Sequence, residues 1–432
     1  MKQRFQAFSH DLAWRAADSF LTGKWSRRDV LMFVEEFAGI SRKEIYSSEL
    51  TLKMHAKLEA TENIACFIED MVEDILNGRE PDFVDPVVTS SRPDGMTGKV
   101  RDIANLSIPH QLLGHLVKLA LDPLFHAKIL PTQHASIPGH GQTKLKDQTA
   151  RYLRKKSMGI RFTQKTDATQ AYASTMYAKV IEVLEKEIPR AKWIIAVMRY
   201  LAELAPGGHL IIGGYLDAWL FNFVMSYGLR YALQQGQTRC GKFTPYICCV
   251  ESYMDDCGFM GRTKTGVRKA VAAFTKWMLE NMNIRIRTTT GIVEILSVEE
   301  ERRRRSLPKP SQRGCPCLDM GGYKISRTHV TMRVRVVKRV IRAYSRAWEE
   351  MQRTGTIQRQ RVYSIISRFG SIKQSYSERF KEKYHVNEVM RMAKAIASYW
   401  GREKSRNRKA WLKRQIEKCE AFECAMLERS AA

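Results

Sequence analysis

The chain has 432 residues, with 72 Lys+Arg against 45 Asp+Glu and a formal net charge of +27, which points to a polyanionic partner. Hydrophobic residues make up 44%, enough for a large core that should split into several lobes. No uninterrupted apolar stretch is long enough to span a bilayer, and Met1-Lys2-Gln3-Arg4-Phe5 leads into an amphipathic helix without a signal-peptide core, so no membrane partner and a cytoplasmic location are expected.

Residues up to about Asp94 read as helical. Ser26 offers a helix start, and residues 30–37 and 50–76 place apolar side chains at helical spacing. Residues 86–98 are rich in Pro, Ser and Gly and read as a break, hence a boundary. A helix is expected near 110–121, a loop over 131–142 and a strand starting at 160–163. Residues 174–187 read as a helix opened by Tyr172. A second helix over 191–204 stops at Ala205-Pro206-Gly207-Gly208. Glu299-Glu300-Glu301 with Arg302 to Arg305 reads as an exposed, mobile connector. From Arg333 onward the pattern is helical, and no internal repeat is found. The nine cysteines are scattered, and Cys315-Pro316-Cys317 lacks a second pair, so free thiols and no structural metal are expected. Cys248, Cys249 and Cys257 read as packed strand residues. His110 and His140 read as hydrogen-bonding core or loop histidines.

The most informative motif is Tyr253-Met254-Asp255-Asp256, between two apolar runs. Strand, acidic turn, strand is the simplest reading. Along a strand neighbouring side chains face opposite ways, but at a hairpin tip both carboxylates can address one cation. Mg²⁺ takes hard oxygen ligands, and two such ions suit phosphoryl transfer. An ordinary Asp-Asp turn explains the dipeptide equally well when it is taken alone. Upstream, Ile160-Arg161-Phe162-Thr163 leads as a strand toward Asp167, which could add a third carboxylate, and Tyr172 follows five residues on.

This order of Asp, aromatic and Tyr-x-Asp-Asp resembles bacterial reverse transcriptases, among them the group II intron-like, diversity-generating and defence-associated unknown-group enzymes. Further blocks are collinear with that family. Gly98-Lys99-Val100-Arg101-Asp102-Ile103 resembles a basic fingers segment, and Ser136-Ile137-Pro138-Gly139-His140-Gly141-Gln142 an S-x-P-G-x-G-Q block. Ile212-Gly213-Gly214-Tyr215-Leu216-Asp217-Ala218-Trp219, with Asn222 after it, resembles the nucleotide-pocket block. Leu318-Asp319-Met320-Gly321-Gly322-Tyr323-Lys324-Ile325 resembles the primer-grip hairpin. The resemblance covers roughly positions 98–400. Two departures stand out. The usual Ser-Gln of the pocket block is Asp217-Ala218, and Arg287 stands near a Lys that the family often carries. Arg neutralises charge but is a poor proton donor near neutral pH.

The resemblance implies an α+β fold: a right-hand polymerase with fingers, palm and thumb, plus a helical N-terminal extension. The implied domains are 1–95 for the extension, 96–330 for fingers and palm, and 331–432 for a basic helical thumb and tail. It implies an RNA-directed DNA polymerase with RNA template, DNA product and dNTPs as partners, and an adjacent structured non-coding RNA as a further one. Asp167, Asp255 and Asp256, with the Ala168 carbonyl, would hold two Mg²⁺ (Mn²⁺ as a substitute). Lys99, Arg101, Tyr172, Gly213, Gly214 and Arg287 would serve the nucleotide, with Tyr172 excluding ribonucleotides. Met320, Gly321, Gly322 and Tyr323 would form the primer grip.

Residues 333–413 hold 22 Lys/Arg and six acids, interleaved with aromatics that mostly suit a core. The charge suits either a solvated face or a backbone grip, for which Arg402, Lys404, Arg406 and Arg408 are the candidates. Antiphage defence is the favoured role; diversity generation or retron-like synthesis are alternatives. A non-polymerising, maturase-like RNA-binding protein is the second class.

Overall fold

A computed structural model describes residues 4–82, 84–85, 87–93, 100–308, 314–373, 375 and 378–401. Helices and sheets are mixed. The chain divides into two units, Met1–Gly321 with Ile325–Thr328, and Gly322–Lys324 with His329–Ala432. Among the described residues, no helix is long and apolar enough to cross a membrane.

The first unit is organised around an antiparallel sheet. Its strand order is Cys249–Tyr253, Asp256–Gly261, Phe162–Ala168, Ile286–Thr288, with Val293–Glu294 also pairing with the Phe162–Ala168 strand. One side is covered by helices Tyr215–Gln234 and Lys264–Met282, which also pack on each other. Helix Tyr215–Gln234 buries residues all round its axis, including Leu220, Phe221, Phe223 and Val224, so it is an interior rather than an amphipathic surface helix. Strand Leu318–Met320 packs against the two inner strands, and Gly258 makes room for it: a Cβ there would stand 2.3 Å from Met320 Sδ.

The N-terminal helices share this core. Helix His10–Leu21, capped by the Ser9 side chain, packs on the long helix Leu50–Leu76 and on Ile108–Lys128. The helix expected after Ser26 starts at Arg28, with Arg27 in the cap position. The break expected over 86–98 is partly strand. Val88–Pro93 pairs antiparallel with Val100–Asn105, so the helical reading up to Asp94 fails beyond Leu76. Val88 and Thr89 are β-branched, and this local preference outweighs the neighbouring Ser and Pro once a partner strand is present.

The helix expected over 174–187 divides in two. Ala171–Ser174 contains Tyr172, and Tyr177–Glu187 follows, because Thr175 takes extended backbone. The acidic and basic run at 299–305 corrects a second reading. It is a helix, Val298–Arg305, capped by Ser297, and Glu301 on it is fully buried. The Glu301 carboxylate accepts from the backbone N–H of Arg327 at 2.9 Å and of Thr328 at 2.9 Å, and from Ser326 Oγ at 3.1 Å. A charged side chain that satisfies this many donors is an anchor, not a connector.

In the second unit, Val334–Thr354, Arg359–Lys373 and Glu378–Lys383 are helical, as is 386–401. Val340, Tyr344, Val362, Ile365, Val386 and Val389 form its interior, and Tyr344 donates to the Ile365 carbonyl at 3.1 Å. Of the interleaved aromatics, Tyr363 and Tyr399 stay exposed.

Replacing Glu301 by Ala removes the shared acceptor of the Arg327 and Thr328 N–H groups and of the Ser326 hydroxyl. We expect a loss of about 3 kcal/mol in urea unfolding, at an unchanged denaturant slope. A change below about 0.5 kcal/mol would mean that Glu301 anchors nothing.

Candidate active site

The acidic turn forms because Tyr253 and Asp256 pair across the hairpin, leaving Met254 and Asp255 to make the bend. Met254 takes φ +53°, a conformation that costs a non-glycine residue strain. The strands run buried up to this point, and Tyr253 to Asp256 are the residues where burial is lost. The acidic pair therefore stands at the end of a rigid, buried hairpin.

Asp167 sits on the adjacent Phe162–Ala168 strand, whose Thr166 pairs with Cys257. At the hairpin tip the Asp255 carboxyl interacts with that of Asp167. Burial first, then Asp167 and Asp256, pushes the Asp255 carboxyl up to about 6. Two carboxyls sharing one half-buried site repel, and a bound cation would relieve that repulsion. Asp256 turns elsewhere. Its Oδ2 meets Lys165 Nζ at 3.0 Å, and the three carboxylates do not converge to within 4.8 Å of one another. Expectation and structure thus differ in detail: Asp167 and Asp255 form the close pair, and Asp256 is an ion-pair partner.

Two basic side chains complete the site. Arg287 pairs with Asp167 across the neighbouring strands, and its Nε and Nη2 both donate to Asp167 Oδ2, at 2.9 and 2.5 Å. Ala168 pairs with Ile286 in the same ladder and is buried. Lys165 was not singled out in the sequence. Strand alternation could have found it, since it lies two residues before Asp167 and so on the same face.

Tyr172 stands beside the turn. Its ring stacks on Phe221 with centroids 5.4 Å apart, and its hydroxyl reaches Met254 Sδ at 3.8 Å. Burial, with help from the Asp217 and Asp255 carboxylates, pushes its phenol well above the usual range. Met254 and Phe221, which hold this ring, were also missed. Arg101 lies exposed on the Val100–Asn105 strand, whereas Lys99 falls outside the described residues, as do Arg402, Lys404, Arg406 and Arg408.

In the pocket block Asp217 is held by its protein neighbours. It is buried, accepts from Tyr177 Oη at 2.8 Å and from the Ile211 N–H at 2.9 Å, and burial raises its carboxyl to about 6. Gly214 is required by Asp217: a Cβ on it would lie 1.8 Å from Asp217 Oδ2. Gly213 has φ +112°, and a Cβ there would stand 3.1 Å from the Ala104 carbonyl oxygen. Protein atoms thus fill the space that these glycines leave. In the hairpin block, Met320 and Tyr323 are buried, and Gly321 and Gly322 take φ +56° and +87° as a tight turn demands.

Beneath the hairpin lies a polar network. Ser252 donates its N–H to the Thr132 carbonyl at 2.9 Å, and the His134 N–H donates to the Ser252 carbonyl at 3.0 Å, so the 132–134 loop runs as a further edge of the sheet. His134 Nε2 lies 2.5 Å from Glu251 Oε2, with both side chains fully buried. Burial raises the Glu251 carboxyl to about 9 and lowers the His134 ring to about 4, so they meet as a neutral acid donating to a neutral imidazole. Gln133 and Asn222 tie the same loop to helix Tyr215–Gln234 through bonds of 2.8 and 2.9 Å.

No family model matches the chain, and no curated protein does. Among solved structures it is similar to the Sicinivirus 3Dpol RNA dependent RNA polymerase, at 12% sequence identity and a TM-score of 0.32, over 56% of this chain and 59% of that chain. The match thus spans less than two thirds of the viral chain's length.

Asp217 supplies a prediction about pH. Its folded value of about 6 lies above the ordinary carboxyl value of 3.8, so the folded chain holds that proton more tightly. The associated stability is full below about pH 4 and is lost as pH rises through about 6, by about 3 kcal/mol in total. Asp217→Asn should lack this loss. Unfolding free energies of wild type and variant, compared from pH 4 to 7, should diverge with rising pH in favour of the variant. Parallel profiles would contradict the assignment.

Proposed function

We propose that the chain is an RNA-directed DNA polymerase, a reverse transcriptase of right-hand architecture, with residues 1–95 as extension, 96–330 as fingers and palm, and 331–432 as thumb. The observation that carries this reading is the close Asp167–Asp255 pair at a hairpin tip with the Tyr172 ring beside it. Its oxygen donors and the raised Asp255 carboxyl suit a hard divalent cation. When bound, two Mg²⁺ ions, or Mn²⁺, supply activation of the primer 3′ hydroxyl and neutralisation of the triphosphate.

The chain's own residues do the rest. Asp167 and Asp255 would hold the cations, Asp256 pairs with Lys165, and Tyr172 would crowd the sugar 2′ position. Arg287, which pairs with Asp167 through Oδ2 alone, would serve the triphosphate together with Arg101 and Lys99. RNA template, DNA product and dNTPs follow as partners, and antiphage defence is the favoured role. A second reading, a non-polymerising RNA-binding protein, draws on Arg287 and Lys165 already neutralising two of the carboxylates.

Primer extension on an RNA template separates the two readings. Wild type should incorporate dNTPs in a Mg²⁺-dependent manner. Asp255→Ala combined with Asp256→Ala should fall below about a thousandth of that rate, because several kcal/mol of charge stabilisation are lost, while circular dichroism stays unchanged. Undiminished synthesis by the double variant would remove the site assignment, and an inactive wild type would favour the RNA-binding reading.

Tyr172→Ala tests sugar selection. The ratio of ribonucleotide to deoxyribonucleotide incorporation should rise by about tenfold or more, as expected for relieving one steric clash. A constant ratio would leave Tyr172 as a packing residue on Phe221.

A further inference from the structure

Away from the acidic turn, one side-chain cluster combines three different kinds of metal ligand. His10 opens helix His10–Leu21, which packs on Leu50–Leu76, where Glu62 and Cys66 stand one turn apart on a shared face. One ligand atom from each of the three lies within 4.8 Å of the other two, the one such triad among the described residues. All three residues are exposed, so an ion can enter from water.

The imidazole is already oriented for ligation. His10 Nδ1 meets Glu69 Oε2 at 3.0 Å, and Nε2 lies 2.9 Å from Glu62 Oε1. A carboxylate that accepts from one ring nitrogen fixes the tautomer and leaves the other nitrogen as a ligand, the arrangement that supports metal-bound histidines generally. The surroundings are anionic although the whole chain is strongly cationic. The Glu69, Glu62 and Asp70 carboxylates all act on the Cys66 thiol.

We propose that His10, Glu62 and Cys66 form a Zn²⁺-class site, oriented by Glu69, that ties the first helix to the long helix of the N-terminal region. The ligand set selects the metal. Nitrogen, sulfur and a single carboxylate suit a borderline-soft, four-coordinate ion with water in the last position, whereas Mg²⁺ requires oxygens. The linked helices are far apart in sequence, so binding at this site adds to folding stability. The cysteine spacing alone gave no sign of it, because two of the ligands are not cysteines.

The competing account is a protonated His10 bridging two carboxylates without any metal. Chelator-treated full-length protein decides between them, in an Asp255→Ala, Asp256→Ala background so that the acidic turn does not contribute. Titrated Co²⁺ should produce a thiolate-to-metal charge-transfer band, and Zn²⁺ should displace the Co²⁺ and raise the Tm. Cys66→Ser should abolish both the band and the Zn²⁺-dependent shift. Since Cys66 is exposed, the variant should fold, as circular dichroism would show. Glu69→Gln should keep the band and weaken Zn²⁺ binding by about tenfold or more. No band in the parent protein, or a band and shift that persist in Cys66→Ser, would overturn the proposal.

Discussion

Electrostatic repulsion between carboxyls at one hairpin tip is the constraint around which the first unit is arranged. Asp167 and Asp255 interact where two strand ladders meet, one placing Thr166 opposite Cys257 and the other placing Asp167 opposite Arg287. Shifting either strand by one residue would turn its side chains to the opposite face and dissolve the pair. Arg287 and Lys165 offset part of the repulsion; the Arg287 side chain is open to water and so can be displaced, whereas the Lys165–Asp256 pair is largely buried. The strain at Met254 and the raised Asp255 carboxyl are signs of a site held in place by its surroundings rather than by its own preference.

Those surroundings are rigid for identifiable reasons. Gly258 has no side chain, so Met320 closes against the acidic hairpin. Below it, the neutral Glu251–His134 pair, the Gln133 bond to the Asn222 carbonyl and the Asn222 bond to the Ala135 carbonyl fix the 132–134 loop as a further edge of the sheet. Removing one partner of these bonds costs the other its buried hydrogen bond. Asp217 does comparable work at the start of helix Tyr215–Gln234, holding the turn before it to Tyr177, and so helps place Phe221, on which Tyr172 rests.

Several features were legible because they depend on local chemistry. The acidic turn between apolar runs, the helix over 50–76 and the stop after Leu204 all follow from periodicity and turn residues, and the structure contains each. The segment near Val88 was misread because a partner strand, not its own composition, makes it extended. The run at 299–305 was misread because charge density says nothing about whether one of its members, here Glu301, meets buried donors. Gly213 and Gly214 carried the right residue type, but the neighbours that demand it are Ala104 and Asp217.

The residue types are written in the chain: three aspartates in order, an aromatic after the first, glycines at the turns and a strong excess of positive charge. How they meet is a matter of folding. It paired Asp167 with Asp255 and turned Asp256 to Lys165, buried Asp217, and brought His10 to Glu62 and Cys66. The physical reason is range. Turn and helix propensities act over a few neighbouring residues, whereas a carboxylate's partner and its protonation state depend on strand register and burial, which are set by residues far away in the chain.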